Sequence, residues 1–236
     1  MAKKISTLLI SLFAIILILD CIFILNGIEE YRIYSKPLLM PVLYILLTVE
    51  TTEAKHKRSK LYISLAILFS FLGDFALLSD DNKFYFVVGL GCFFTAHIWY
   101  SLFFLRIKPL SIKRITSIVL ISLVIIIYMS LLLGYLWTSI QQGNFMLPIL
   151  AYCLILSIML LSALNTGTGR RIHKIAYQNF IPGAILFVIS DSALAVRKFG
   201  PVIDITDAAI YSIFVMTTYG FAQVLLIYGA IRIIKK

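Results

Sequence analysis

Charge is what this sequence has least of. Asp, Glu, Lys and Arg make up 14% of its 236 residues, where a soluble domain carries about a quarter. Hydrophobic residues reach 61% and mean hydropathy is +0.99, which excludes an ordinary soluble globule. Cysteine is scarce too: Cys21, Cys92 and Cys153 are odd in number, lie inside apolar segments and lack the spacing of a metal site. They read as buried reduced thiols. Of three histidines, His56 and His173 fall in loops and only His97 lies within an apolar run, so a three-histidine zinc site is not expected. No GxSxG elbow occurs, nor a serine with a histidine at matching depth, and this argues against an acyl-transfer triad. The expectation is neither metal nor cofactor.

What the sequence has in abundance is long apolar runs. A helix needs roughly 20 such residues to cross about 30 Å of hydrocarbon. Candidate spans lie near 5–25, 37–54, 60–79, 84–105, 114–137, 145–165, 176–197 and 207–231. Backbone groups in lipid must be satisfied internally, and the runs are continuous rather than alternating, so helices are expected and a β-barrel is not. The reading is an all-α integral membrane protein: one eight-helix transmembrane domain over residues 1–236. The first run follows a charged start, as in a signal peptide, but its length and the missing small-residue cleavage site favour a retained helix. The second and seventh spans are the weak ones. The seventh opens with Gln178, Asn179, Pro182 and Gly183 before turning purely apolar.

The basic excess, +10 net, falls in short clusters between runs. That pattern orients a membrane protein and speaks against nucleic acid as a partner. With the N-terminus cytoplasmic, sixteen Lys and Arg lie inside and five outside, which supports eight spans with both termini inside. The same arrangement implies a multi-pass protein of the cell membrane or of an organelle.

Two aspartates break the apolar pattern. Asp74 sits in "FLGDFALL" at 71–78, and Asp191 in "FVISDSALA" at 187–195. The segments "GDFALL" and "SDSALA" align without gaps, 117 residues apart, on the third and seventh spans. These two spans run in the same direction, as a parallel duplication of four helices would arrange them. An ionised Asp at a bilayer centre costs about 3 kcal/mol or more, so both should face the bundle interior. Gly89, Phe93, Ala96, His97 and Tyr100 share one helical face, and Lys36, Met40, Leu43, Leu47 and Glu50 form another stripe. Tyr219 and Gln223 lie one turn apart on the last span, Tyr152 is on the sixth, and Ser190 adjoins Asp191. Each has a plain structural alternative: tyrosines pack, and Lys36 and Glu50 snorkel from helix ends. Asp80, Asp81, Asp204 and Asp207 read as loop or capping residues, and Asp20 finds no evident partner.

Together these segments resemble the YhhN family, which includes transmembrane lysoplasmalogenases. The likeness lies in "KPLLMP" at 36–41, "FLGDFALL" at 71–78, "GLGCFFTAHIWY" at 89–100, Tyr152 and Met159, "PGAILFVISDSALA" at 182–195 and "YGFAQVLLIYGA" at 219–230. The resemblance implies an eight-helix membrane hydrolase that cleaves lysoplasmalogens, a class of lysophospholipid, to a fatty aldehyde and glycerophosphocholine or glycerophosphoethanolamine. It also implies that Asp74 and Asp191 occupy the catalytic positions.

Two carboxylates suit such a reaction. A vinyl ether is cleaved by protonating carbon, and the resulting oxocarbenium ion is captured by water. Paired carboxylates do similar work in glycoside hydrolysis. Two acids meeting in a dry pocket would split a proton between them. Asp191, among apolar neighbours, is assigned the acid and Asp74, nearer Lys36, the base, with the reverse left open. His97, Tyr100 and Gln223 would orient water or the glycerol hydroxyl, with Ser190, Tyr152 and Tyr219 completing the substrate site. Lys36, Arg197 and Lys198 would hold a phosphate. Two rival readings are a proton-coupled small-solute or lipid transporter and a non-catalytic lipid-binding protein in which the aspartates only pair with cations.

Overall fold

The structure is a computed structural model that describes residues 2–53, 56–79, 82–110, 115–201 and 205–235. Eight helices among these residues are long and apolar enough to cross a membrane, as expected. They are built on α1 (Ala2–Leu25), α2 (Leu39–Glu50), α3 (Lys57–Ala76), α4 (Lys83–Ile107), α5 (Ile115–Gln142), α6 (Met146–Thr166), α7 (His173–Phe199) and α8 (Ile205–Ile234), the second span reaching back from α2 to Glu29. The described residues contain no strand. Asp80, Asp81 and Asp204, read as loop or capping residues, lie outside the described residues, whereas Asp207 is exposed in the first turn of α8.

The two weak spans depart from regular helix for identifiable reasons. A helix of the length of α2, 12 residues, rises only about 18 Å. The remaining depth comes from 3-10 turns at Glu29–Tyr34 and Lys36–Leu38. The far end stops early, because the Thr51 and Thr52 hydroxyls bond back to carbonyls of the last turn. In α7 the ring of Pro182 allows no bond to the Gln178 carbonyl, and the turn before it widens into a π-helical stretch, Ala176–Phe180. Arg232 of α8 then donates through Nη1 to the side-chain oxygens of Gln178 and Asn179, at 3.1 and 3.0 Å.

The close of α1 also shapes the site. Gly27 adopts φ +67°, the Ile28 amide bonds the Phe23 carbonyl and the Gly27 amide bonds that of Ile24, each at 3.1 Å. This Schellman arrangement needs a residue at ease in left-handed conformation, and it folds the 3-10 turns back onto α1. Arg32 and Lys36 are thereby turned inward and buried, rather than left at an outer rim.

The most closely packed pairs are α3 with α4 and α7 with α8, and α8 also touches α1, α2 and α3. Small residues allow this. A Cβ on Gly73 would come within 2.7 Å of the Phe93 ring, and one on Gly183 within 2.8 Å of Leu226. By contrast, α5 packs chiefly on α6 and α7 and leaves most of its surface open.

Candidate active site

The α4 stripe turns inward as its periodicity predicts: Gly89, Phe93, Ala96, His97 and Tyr100 are all buried. On α2 the stripe Lys36, Met40, Leu43 and Leu47 is buried as well. Glu50, at its end, is bonded by Ser6 and Lys235.

Asp191 projects from α7 toward α4 and α6. Its Oδ2 accepts the Tyr152 hydroxyl at 2.7 Å and lies 3.4 Å from His97 Nε2, which is itself 3.1 Å from the Tyr152 oxygen. The three groups make a closed triangle in which the phenol donates to the carboxylate, and Nε2 does so as well in the tautomer that carries its proton there. His97 is fully buried, and its Nδ1 has no partner among the described residues. The carboxylate keeps 12% of its side-chain surface open. That surface faces a narrow cleft between α4, α5, α6 and α7 with a cavity volume of about 60 Å³. Leu90, Phe93, Leu132, Leu156 and Leu194 are typical of its walls, and Tyr152, Asp191 and Ser192 supply the polar groups. The Tyr128 hydroxyl of α5 donates to Ser192 Oγ at 2.7 Å, a polar tie between the loosely packed helix and the carboxylate-bearing one.

Asp74 lies in different surroundings. It is 1% exposed, its Oδ2 accepts the Tyr219 hydroxyl at 2.8 Å, and it does not line the cleft. Lys36 acts on it electrostatically, with Asp20 and Arg32 further contributors. Nearby, the Tyr100 hydroxyl donates to Gln223 Oε1 at 2.5 Å, and Gln223 Nε2 donates to Ser70 at 3.1 Å. Both Tyr100 and Gln223 are fully buried in this network, away from the cleft lining.

The two carboxylates therefore do not meet. No hydrogen bond joins them, and rings stand between their donors: Phe187 packs edge-on against His97 at 4.6 Å and against Tyr219 at 5.5 Å. Phe93 packs edge-on against Tyr219 at 5.7 Å. The expectation that they face each other and share a proton gives way to a crosswise arrangement. Asp74 of the α3–α4 pair is bonded from α8, and Asp191 of the α7–α8 pair is bonded from α4 as well as α6.

Other expectations shift in detail. Ser190 Oγ donates to the Val215 carbonyl at 3.0 Å and is buried, tying α7 to α8. Lys198 lies over the Phe86 ring at 5.3 Å. Asp20 does have partners: Arg32 donates to it through Nε at 3.4 Å and Nη2 at 3.3 Å, and Ser35 Oγ at 2.7 Å. Arg32 was legible only as a loop charge, although its place one turn before Lys36 put it on that residue's side. The described residues hold no group of three His, Cys, Asp or Glu suited to a metal ion.

Comparison with known proteins places the chain. The model of the YhhN family matches residues 31–230, so the chain belongs to the YhhN family. No curated protein and no solved structure matches it.

Proposed function

Taking YhhN membership as the premise, we propose that this chain is a membrane hydrolase that cleaves the vinyl-ether bond of lysoplasmalogens. The observation that carries this reading is Asp191, a carboxylate with two donors fixed on it, opening into an otherwise apolar cleft. Such a cleft suits a hydrocarbon chain, and an acid at its polar end suits protonation of a carbon within that chain.

Protonated Asp191 gives its proton to the alkenyl carbon β to the ether oxygen. The double bond's electrons form the new C–H bond, and the adjacent carbon becomes an oxocarbenium ion. Water adds to that cation and surrenders a proton to the Asp191 carboxylate, restoring the acid. The hydroxyl of the resulting hemiacetal then loses its proton to become the aldehyde carbonyl while the bond to the glycerol oxygen breaks and that oxygen takes up a proton, releasing the aldehyde and the glycerophosphodiester. Tyr152 and His97 steady the carboxylate between these transfers, each donating a bond that is stronger while it is ionised. Asp74 lies outside the cleft, and its nearness to Lys36 and Tyr219 suits a positioning role rather than the base expected of it.

The test is incubation of purified protein in detergent with a panel of lysolipids, measuring aldehyde and fatty acid separately. Aldehyde from alkenyl substrates alone is the expected result. Fatty acid from acyl lysolipids would replace the reading with ester hydrolysis, and absence of both products would remove it.

A further inference from the structure

At the end of the bundle where α7 finishes there is a second pocket, which the proton transfers above do not use. Arg32, Lys36 and Arg197 contribute three cations to its lining, and Glu29 contributes one carboxylate. Ser212 adds a buried hydroxyl. Two of its walls, Leu77 and Leu194, are also walls of the apolar cleft. The two spaces are therefore neighbours separated by leucine side chains, with Asp191 one turn before Leu194.

Arg32 shows how the pocket is built. It is 9% exposed, and Asp20, wholly buried, holds its Nε and Nη2 edge. Ser35 fixes the carboxylate in turn. The guanidinium is thus locked in orientation, and its Nη1 donates to no described residue. A guanidinium fixed along one edge and open along another matches the geometry of a phosphate oxygen. A buried ion pair is also a poor way to gain stability, because desolvation consumes most of the attraction. Joining α1 to the following turn would need only apolar contact. A charged floor is explained by an anionic ligand.

We propose that this pocket binds the phosphate of a single-chain lipid whose hydrocarbon lies in the adjoining cleft. Naming that lipid a lysoplasmalogen rests on the hydrolase reading; the binding itself does not. Leu77 and Leu194 mark where the apolar and charged parts of such an amphiphile meet. An ether bond next to glycerol falls at that same boundary, beside Asp191. Lys36 joins the pocket to Asp74, so the buried carboxylate acts on the lipid through this cation.

The test is binding to purified protein in detergent. The probes are a non-cleavable alkyl-ether lysophospholipid, a monoalkylglycerol of the same chain, glycerophosphate and inorganic phosphate. Expected for Arg197→Gln is a loss of roughly tenfold or more in affinity for the lysophospholipid, the scale of one charge-assisted hydrogen bond, with monoalkylglycerol binding unchanged. The double variant Asp20→Asn with Arg32→Gln, which removes both buried charges together, should show the same selective loss. Equal loss for both lipids, or none in either variant, would overturn the assignment. Glycerophosphate or inorganic phosphate binding as tightly as the lipid would make the site one for free phosphates and overturn the lipid part. Selective loss without aldehyde release from any alkenyl lipid would sink the hydrolase reading and leave the pocket standing. Aldehyde release by Arg197→Gln at unchanged KM would do the reverse.

Discussion

Asp74 and Asp191 lie in matching segments, yet the bundle treats them differently. Asp191 has two donors and an open side facing an apolar cleft, whereas Asp74 has one donor, no open side and Lys36 acting on it. Equal residue types in matching segments thus acquire unequal access. The difference arises in their neighbours. A tyrosine bonds each one, but beside Asp191 the helix α5 leaves most of its surface open, whereas Asp74 lies on α3, which is closely packed along α4. A carboxylate that reacts needs a way in for substrate, while one that orients a cation gains from being sealed.

The comparison is broken most directly at Asp191. Asp191→Asn should lower kcat for aldehyde release by roughly a thousandfold, within the range for loss of a general acid, while the protein's thermal unfolding stays close to wild type. Full activity would end the proposed chemistry. Asp74→Asn should act mainly on KM, raising it about tenfold, because it disturbs the setting of Lys36 rather than the proton transfer. If instead kcat collapses while binding of a non-cleavable lipid is unchanged, Asp74 takes part in the reaction and the contrast drawn above is wrong. The tyrosines sharpen the same point at smaller scale. Tyr152→Phe removes a donor from Asp191, the proposed acid, and should cost kcat about tenfold, consistent with a hydrogen bond to a charged group of about 1.5 kcal/mol. Tyr219→Phe should leave kcat within a factor of about three, and equal losses in steady-state kinetics would show that the two aspartates share a role. Least of all, Ser190→Ala should leave kcat alone and cost about 0.6 kcal/mol, the mean for a hydrogen bond between membrane helices; an unfolding titration in mild detergent checks it.

Hydropathy made the architecture readable. All eight spans were legible, and the two with polar or short sequence were the two that proved irregular, through the 3-10 turns before α2 and the π-helical stretch before Pro182. Helical periodicity also picked out the inward face of α4. The site was legible as a roster of polar residues in apolar surroundings, and less so as a set of contacts. Tyr100 and Gln223 were placed on the substrate but bond each other, and Ser190 bonds a backbone carbonyl. Asp20 and Arg32 were separated in the reading by a helix end, because nothing in a linear pattern announces that Gly27 reverses the chain and folds one back onto the other.

The sequence by itself determined that this protein is a bundle of eight apolar helices in the YhhN family and which polar groups those helices must enclose. Both follow from local quantities, the transfer cost of each side chain and the spacing of residues along a helix. Only the tertiary structure decided which enclosed groups meet, and that Asp191 opens onto the cleft while Asp74 is buried against Tyr219, whose ring packs on Phe93 and Phe187. Those contacts join residues 39 to 145 positions apart, and they depend on how whole helices pack, which no short stretch of sequence encodes.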